Sequence, residues 1–313
     1  MKSRIMSLVL LSSFVIGTVD AREWTSADGK KLQADFVSLS GDQVVLKLAG
    51  GKTVNVPLAR FSAEDQVFVK EQSAGEKPAA ATGAVKKIEG PYAALITGGW
   101  ELSEHKGLPF ALYGSKDLGA AQKYPLVLAL HGKSQNNENG RQVGGWMKSF
   151  AKDENYKERP CIVVAPLCYQ PYGGTGGGWY DKPGVQAIAL VKDLMKSLPI
   201  DKDRIYVVGH SMGGFGTCHL INTEPRLFAA GIPMSGCTGP ETAGNLKKVP
   251  IWMFHAADDA TVPPDAARSL AAALKRDKSF KYTEFETGGH GIPPKVFDDK
   301  ITHEWLFSQT RGK

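Results

Sequence analysis

The chain has 313 residues, of which 42% are apolar and 22% are charged. This composition is typical of a globular protein and excludes a collagen, a coiled coil or a wholly disordered chain. At roughly 150 residues per domain, the length predicts about two domains. The net charge of +6 comes from 38 basic and 32 acidic side chains that alternate along the chain. Because nucleic-acid-binding proteins concentrate basic charge in a patch or stripe, this pattern argues against a nucleic-acid partner.

Residues 1–21 have the pattern of a secretory signal peptide. Lys2 and Arg4 precede a mostly apolar stretch that ends at Ile16, and small or apolar residues lead up to Ala21. This pattern predicts cleavage after Ala21 and export to the periplasm or the extracellular space. Cleavage removes two positive charges and one negative charge, so the mature chain carries +5. A retained membrane anchor is the alternative, but the apolar stretch is shorter than the ~20 residues that a span needs.

Four cysteines could form disulfide bonds in an exported protein: Cys161, Cys168, Cys218 and Cys237. Cys161 and Cys168 lie at opposite ends of one predicted strand, roughly 23 Å apart, and cannot bridge. The other pairings and free buried thiols stay open, with Cys168 and Cys237 favoured because both would end strands at one sheet edge. Since no CxxC, HExxH or clustered His/Cys spacing occurs, neither a metal nor an organic cofactor is implied.

Residues 22–72 read as a small β unit. Short runs in which apolar and polar residues alternate are separated by turns that contain glycine, as expected for strands. These runs are Glu23–Thr25, Leu32–Leu39, Val44–Leu48 and Thr53–Val56. Ser62 then caps a short helix with an acidic first turn. The stretch REWTSADGKKLQADFVSLSGDQVVLKLAGGKTVNVPLARFSAEDQVFV closely resembles the SLA-type homology domain (SHD), an SH3-like barrel. The resemblance implies a binding or spacing module, whose ligand does not follow from these residues.

Residues 73–89 are rich in Ala, Gly, Lys and Pro and predict a linker. A short Ala-rich helix is the alternative, but Pro78 and Gly83 argue against it.

From residue 90 to 313, continuous apolar runs alternate with segments whose apolar residues repeat with the period of a helix. This alternation predicts one α/β domain with a doubly wound, mostly parallel sheet. The predicted strands are Leu126–Leu130, Cys161–Ala165, Ile205–Gly209, Gly231–Met234, Ile251–Phe254 and Phe280–Thr287, and the predicted helices are Pro183–Leu198, Gly213–Thr223, Asp265–Lys275 and Val296–Gln309.

The pentapeptide from Gly209 to Gly213 reads G-x-S-x-G. A predicted strand enters it and a predicted helix leaves it, which is the context of a nucleophile elbow. Such a turn strains the backbone of Ser211 and holds its Oγ at the carboxyl edge of the sheet, over a helix N-terminus. A glycine-rich turn without chemistry is the alternative.

A serine hydroxyl needs a base to become a nucleophile, and elbow enzymes supply an acid and then a histidine later in the chain. Asp258 and Asp259 follow a predicted strand, and Asp259 is the preferred acid. His290 lies among glycines after the last predicted strand. We therefore expect His290 to be the general base, with Nδ1 held by Asp259 and Nε2 facing Ser211 Oγ.

An oxyanion hole should complete this site. The backbone N–H of Met212 is one expected donor, and the N–H of Gly132 or Lys133, after an earlier strand, is the second. The expected substrate contacts are Trp179, Gln170 and His210. Trp179, in the glycine-rich segment QPYGGTGGGWY, could stack on a sugar or aryl group or simply pack on the following helix. His131, His210 and His255 end strands at this edge and can also be read as packing residues.

The segment from Leu108 to Gln309 resembles the α/β-hydrolase esterases of the phospholipase/carboxylesterase and feruloyl-esterase-like group. The matching stretches are YPLVLALHG, VVAPLC, DRIYVVGHSMGGFGT, PMSG, VPIWMFHAADDATVP, YTEFETGGHG and EWLFSQ. Related chains read D-x-x-V-P where Asp259 begins the same pattern. The resemblance implies an exported serine hydrolase that cleaves small-molecule or polysaccharide-linked esters, such as acyl or feruloyl esters, through an acyl-enzyme. A serine peptidase with the same triad and a non-catalytic surface-binding protein are the alternatives.

Overall fold

The structure is a computed structural model that describes residues 22–40, 43–75, 87–133, 138–173, 176–298 and 300–312. The chain divides into two compact units, residues 1–84 and 85–313, and the boundary falls within the segment predicted as a linker. The predicted signal peptide lies outside the described residues. Among the helices that the structure describes, none is both long and apolar enough to cross a membrane.

The N-terminal unit is a four-stranded antiparallel sheet followed by a helix. In the order of the sheet the strands are β1 (Arg22–Thr25), β2 (Lys31–Ser40), β3 (Gln43–Leu48) and β4 (Thr53–Pro57). A 3-10 turn (Leu58–Arg60) leads to α1 (Ala63–Gly75), which extends into the segment predicted as a linker. Each predicted strand and the predicted helix is present, and the small antiparallel sheet is consistent with the predicted SH3-like fold.

Trp24 is the centre of this unit and is 1% exposed. Its Nε1–H donates to the carbonyl of Ala34 at 2.9 Å, which satisfies the polar atom of a buried indole. Asp65 in α1 is also buried and accepts hydrogen bonds from Arg22 at 2.7 Å and from the N–H of Thr25 at 2.6 Å. Burial alone would raise the pKa of Asp65, but the bonds from Thr25 and Arg22 outweigh it, and the pKa lies below 3.8. Asp65 therefore ties the first turn of α1 to β1.

The C-terminal unit alternates strands with helices. Its strands are β5 (Trp100–His105), β6 (Leu108–Tyr113), β7 (Tyr124–Leu130), β8 (Ile162–Pro166), β9 (Tyr172–Gly173), β10 (Gly176–Gly177), β11 (Ile200–His210), β12 (Ala230–Met234), β13 (Ile251–Ala256) and β14 (Phe280–Phe285). Its helices are α2 (Gly145–Lys148), α3 (Asp153–Glu158), α4 (Lys182–Ser197), α5 (Met212–Thr223), α6 (Ala243–Leu246), α7 (Asp265–Leu274), α8 (Pro293–Phe297) and α9 (Lys300–Ser308). Further 3-10 turns are Ala93–Leu95, Ser149–Ala151, Gly178–Tyr180 and Pro240–Thr242.

Eight of these strands form one twisted sheet in the order β14-β13-β12-β11-β7-β8-β6-β5. The strands from β14 to β8 in that order pair in parallel. The hairpin of β5 and β6 adds an antiparallel edge, with β6 paired to β8. The predicted α/β class with a mostly parallel sheet is therefore confirmed.

The sheet is covered by helices on both faces, and this explains the continuous apolar runs in the sequence. In β7, Leu126, Leu128 and Leu130 face a cluster that includes side chains of α4, α5 and α7. Val127 and Ala129 face the opposite cluster, with side chains of α2, α8 and α9. Successive side chains of a strand point to opposite faces, so a strand buried on both faces needs apolar residues at every position.

The hairpin of β5 and β6 was not predicted, although the residues of its turn are typical of a hairpin. Lys106 and Gly107 form a two-residue turn with φ of 49° and 81°, the type that matches the twist of a hairpin. The helix predicted over Val296–Gln309 is instead two helices, α8 and α9. The first begins at Pro293 because proline fits the first turn of a helix.

All four cysteines are buried and unpaired. The preferred pairing of Cys168 with Cys237 is therefore wrong, and the free-thiol alternative describes the structure. Burial raises the pKa of each thiol, so all four stay protonated near neutral pH. They behave as small apolar side chains of the core.

His303 in α9 makes the stability of this unit depend on pH. It is 1% exposed, packs on Phe150 and Phe297, and donates to the carbonyl of Phe297 at 3.2 Å. Burial lowers its pKa to about 4, against about 6.5 in an unfolded chain. Between these two values the unfolded chain binds a proton that the folded chain does not, so lowering the pH destabilises the fold.

Between pH 6.5 and 5, we expect the free energy of unfolding to fall by about 1.5 kcal/mol more in the wild type than in His303→Gln, because the dependence approaches about 1.4 kcal/mol per pH unit only below pH 6.5. Urea unfolding followed by tryptophan fluorescence at both pH values measures the difference. An identical pH dependence in the two proteins would contradict this role of His303.

Candidate active site

The site is built around the turn from β11 into α5. Ser211 occupies this turn with φ 56° and ψ −120°, a conformation that L residues rarely adopt. Its N–H donates to the carbonyl of Met234 at 2.9 Å, which extends the pairing of β11 with β12 past the end of the strand. The pairing of β11 with β7 and β12, together with the N-terminus of α5, therefore holds Ser211 at the carboxyl edge of the sheet.

Two glycines permit this turn because other backbone segments approach them closely. A Cβ on Gly209 would overlap the backbone of Gly213, and a Cβ on Gly213 would overlap the carbonyl of Leu130 at the end of β7. Both positions of the G-x-S-x-G motif are therefore required by contact between β7, β11 and α5. The two glycines of the motif are thus explained by the close packing of the backbone around Ser211.

The structure brings Ser211, His290 and Asp259 together in one chain of hydrogen bonds. Ser211 Oγ donates to His290 Nε2 at 2.8 Å, and His290 Nδ1–H donates to Asp259 Oδ2 at 2.9 Å. Three residues far apart in sequence, from the ends of β11, β13 and β14, thus take the geometry of a nucleophile, a base and an orienting acid.

Asp259 is held by more than His290. Its Oδ1 accepts from the N–H groups of Thr261 and Val262, both at 2.9 Å, and its side chain is fully buried. His255 Nε2 lies 3.3 Å from Asp259 Oδ2 and donates to the carbonyl of Val262. Burial raises the pKa of Asp259, but the bonds from His290 and these N–H groups outweigh it, and the pKa lies below 3.8. The carboxylate is therefore ionised near neutral pH.

Asp258 has a different position from its neighbour. It accepts hydrogen bonds from the N–H groups of Gly288 at 3.2 Å and Gly289 at 2.7 Å. These two bonds lower the pKa of Asp258, and the bond from Gly289 has the larger effect. Gly288 and Gly289 have φ of 144° and 55°, a bend that L side chains disfavour. Asp258 therefore anchors the loop that carries His290.

His210 fixes the other side of that loop. Its Nε2–H donates to the backbone carbonyl of His290 at 2.7 Å, and the two rings lie 4.9 Å apart. Ser235 Oγ also approaches this carbonyl, at 3.4 Å. Burial lowers the pKa of His210 to about 4, so it stays neutral near pH 7. The position of His210 suits a packing residue, and its side chain also lines a cavity described below.

The loop after β7 carries the expected second oxyanion donor. His131 Nδ1–H donates to the carbonyl of Gly132 at 2.6 Å, and His131 Nε2 accepts from the N–H of Cys168 at 2.8 Å. A trans peptide directs its carbonyl and its N–H oppositely, so this bond also fixes the direction of the Lys133 N–H. Met212 is the first residue of α5, and an N–H at that position has no carbonyl partner within the helix.

One of the expected substrate contacts, Trp179, lies in the hydrophobic core. Trp179 is 0% exposed, donates to the carbonyl of His131 at 3.2 Å and packs directly on Gly216 of α5. The expectation that it stacks on substrate is therefore wrong, because the 3-10 turn before α4 buries the indole beneath the strand ends. Gln170 is half-buried, and its carbonyl accepts from Cys168 Sγ at 3.7 Å.

Two cavities lie beside the elbow. The first, of about 320 Å³, is lined by His210, Gly132, Trp146, Gly291 and Phe297 among others, and we call it the Trp146 cavity. The second, of about 280 Å³, is lined by ten residues, three of which belong to α5. We call it the tyrosine cavity, and its residues are Tyr172, Tyr180, Phe215, His219, Asn222, Cys237, Thr238, Gly239, Glu241 and Thr242.

The tyrosine cavity was not predicted from the sequence. Tyr172 and Tyr180 lie in the same glycine-rich segment as Trp179, so the signal was an aromatic-rich loop at the catalytic edge. Trp179 is buried, whereas the two tyrosines are half-buried. In the described part of the chain no cluster of His, Cys, Asp or Glu could hold a metal ion.

Two family models match parts of the chain. The prolyl oligopeptidase family matches residues 179–245, the segment that contains the elbow. SLA1 homology domain 1 matches residues 18–77, which include the antiparallel sheet of the N-terminal unit.

Similar proteins include esterases. A bifunctional acetylxylan esterase/xylanase from Neocallimastix patriciarum is 32% identical over 146 residues, which is 44% of this chain and 20% of that protein. The crystal structure of a thermostable esterase is 31% identical, with a TM-score of 0.61, and the match covers 68% of this chain and 63% of that one. The feruloyl esterase module from Clostridium thermocellum is 14% identical over 72% of this chain and 95% of that one, with a TM-score of 0.53, which shows a common fold.

The predicted resemblance is thus confirmed. The C-terminal unit has the α/β-hydrolase fold and is similar to solved esterases, and the N-terminal unit is similar to an SLA1 homology domain.

The separate positions of Asp258 and Asp259 predict different effects on the reactivity of Ser211. A fluorophosphonate should label Ser211 in the wild type, and Asp259→Asn should slow labelling on the order of 10³-fold because His290 loses its orienting acceptor. Asp258→Asn is the matched control and should slow labelling less than about 10-fold, since it perturbs only the loop anchor. Intact-mass spectrometry over time gives both rates, with Ser211→Ala as the unlabelled reference. Equal rates in the two aspartate variants would contradict this assignment.

Proposed function

We propose that this chain is a hydrolase of carboxylic esters in which Ser211 is the nucleophile, His290 the general base and Asp259 the orienting acid. The observation that carries this proposal is the hydrogen-bonded chain from Ser211 Oγ through His290 to Asp259, with distances of 2.8 and 2.9 Å. The similarity to an acetylxylan esterase and to a thermostable esterase supports the same class of reaction.

Acylation begins when Ser211 Oγ attacks the ester carbonyl carbon and its proton passes to His290 Nε2. The carbonyl oxygen becomes an oxyanion, which the N–H of Met212 stabilises at the N-terminus of α5. The second proposed donor is the N–H of Gly132 or Lys133, and the bond from His131 holds the peptide between these two residues in one orientation. The intermediate then collapses, the alcohol takes the proton from His290, and an acyl group remains on Ser211.

Deacylation repeats these steps with water as the nucleophile. His290 accepts a proton from water, the hydroxide attacks the acyl carbonyl, and Ser211 leaves with the proton from His290. Asp259 carries a negative charge throughout, which keeps Nδ1 of His290 protonated and stabilises the imidazolium in both steps. Every step uses side chains and N–H groups of this chain, and water is the co-reactant.

The proposed substrate is an acetyl or feruloyl ester carried by a polysaccharide. Support comes from the names of similar proteins, an acetylxylan esterase/xylanase and a feruloyl esterase module. A serine peptidase is the second candidate, because the prolyl oligopeptidase family matches the segment around Ser211.

An ester panel tests the proposal. We expect the purified chain to hydrolyse p-nitrophenyl acetate, and the relative kcat/KM for the acetate, butyrate and octanoate esters and for methyl ferulate to describe the acyl pocket. Ser211→Ala should reduce each rate by at least about 10³-fold without changing the circular dichroism spectrum. Faster cleavage of peptide p-nitroanilides than of the esters would favour the peptidase, and undiminished ester hydrolysis by Ser211→Ala would contradict the mechanism.

We further propose that the chain is exported, as the pattern of residues 1–21 predicts. When the full sequence is expressed in a bacterial host, the accumulated protein should begin at Arg22 in the periplasm or the medium. N-terminal sequencing of each cell fraction measures this. A chain that retains residues 1–21 in the membrane fraction would instead support the anchor.

A further inference from the structure

The tyrosine cavity lies against the elbow but has no role in the proposed mechanism. Its volume of about 280 Å³ is close to the lower end of small-molecule sites, about 300 Å³. Three aromatic rings, of Tyr172, Tyr180 and Phe215, share its lining with side chains that can form hydrogen bonds, such as Asn222, Thr238 and Glu241. This mixture of apolar ring faces and a few polar groups is typical of a ligand site.

Two glycines join this cavity to the catalytic residues. Gly178 separates the ring of Tyr172 from the side chain of Met212, so closely that a Cβ there would lie 3.2 Å from the ring and 3.0 Å from the Met212 sulfur. Gly236 separates the ring of Phe215 from the backbone of Ser211 in the same way. The aromatic lining is therefore one glycine away from the backbone carbonyl of Ser211 and from the side chain of Met212. A group bound in the cavity would lie beside the start of α5, where Phe215 is part of the lining.

The three rings are nearly parallel. Tyr172 lies 5.6 Å from Phe215 with an interplanar angle of 26°, and 6.4 Å from Tyr180 with an angle of 19°. All three side chains are half-buried, so part of each ring remains open. Tyr172 stacks on both other rings, so a flat ligand can pack on ring faces that this stacking leaves free, whereas a cage for a cation needs aromatic faces turned toward a common centre. The geometry therefore favours a ring-shaped ligand over a compact cation.

The charges of the lining favour a neutral ligand that carries hydroxyl groups. Burial lowers the pKa of His219 and raises the pKa values of Tyr172 and Tyr180, so these groups are neutral near pH 7. Among the lining residues that the structure describes, Glu241 is then the charged one, and none is a lysine or an arginine. A single carboxylate without a basic partner repels carboxylate and phosphate ligands but accepts hydrogen bonds from hydroxyl groups.

We propose that the tyrosine cavity binds a sugar ring of the alcohol that carries the ester. The flat face of the sugar packs against this aromatic lining, while its hydroxyl groups donate to Glu241. This proposal rests on the proposed function, since it gives the alcohol side of the substrate its site. The Trp146 cavity is then the space for the acyl group.

The test compares one ester with a sugar and one without. For each protein, kcat/KM is measured on acetylated xylotriose and on p-nitrophenyl acetate, and their ratio is the readout. We expect Tyr180→Ala and Glu241→Ala each to lower this ratio roughly 5- to 10-fold, mainly through KM for the sugar ester, because each removes one contact to the sugar. Tyr169→Ala is the matched control: Tyr169 is an exposed tyrosine near the same loop that bonds Gln186 instead, and its ratio should match the wild type.

A second measurement does not depend on catalysis. Saturation-transfer NMR should detect unesterified xylotriose on Ser211→Ala, and the signal should weaken in Ser211→Ala/Tyr180→Ala. Ratios within two-fold of the wild type in both cavity variants, or equal NMR signals in these two proteins, would overturn the sugar site even if ester hydrolysis stands. Failure of the wild type to cleave either ester would instead overturn the proposed function, and the NMR result would still decide whether the cavity binds sugar.

Discussion

The close contact between β7, β11 and α5 is the constraint on which the rest of the site depends. Gly213 rests on the carbonyl of Leu130, and Gly209 rests on the backbone of Gly213, so the chain has to turn within one residue. That residue is Ser211, with φ 56°. Such a conformation costs about 1–3 kcal/mol and persists only where the surroundings over-determine it. Here the sheet and the buried face of α5 supply that support.

The position of His290 depends on contacts of a different kind. Its loop follows the edge strand β14, and polar groups from three other segments hold it. Asp258 binds two N–H groups of the loop, while His210 donates to the carbonyl of His290 itself. Because burial keeps His210 neutral near pH 7, its role as a donor at Nε2 does not change in that range. The proposed base is therefore held in place before a substrate arrives.

Much of the fold was predictable because its signals are local. Parallel strands buried on both faces need unbroken apolar runs, and glycines mark the elbow and the bend before His290. The preference for Asp259 over Asp258 rested on resemblance, whereas the structure separates them physically, since Oδ2 of Asp259 lies on His290 and Asp258 binds the glycine loop. Trp179 was misread because nothing in the sequence shows that a 3-10 turn directs its ring inward.

The sequence by itself determined the two units, the mostly parallel sheet and the order of serine, acid and histidine, because periodicity, glycine placement and chain order are properties of neighbouring residues. Only the tertiary structure decided which side chains share a cavity. Tyr172 and Glu241 are separated in sequence by α4, β11, α5 and β12. They line one cavity because the sheet brings the segments after β8 and after β12 to the same edge. The burial of Trp179 and of the four thiols was likewise decided by the tertiary structure, since the exposure of a residue depends on every element packed around it.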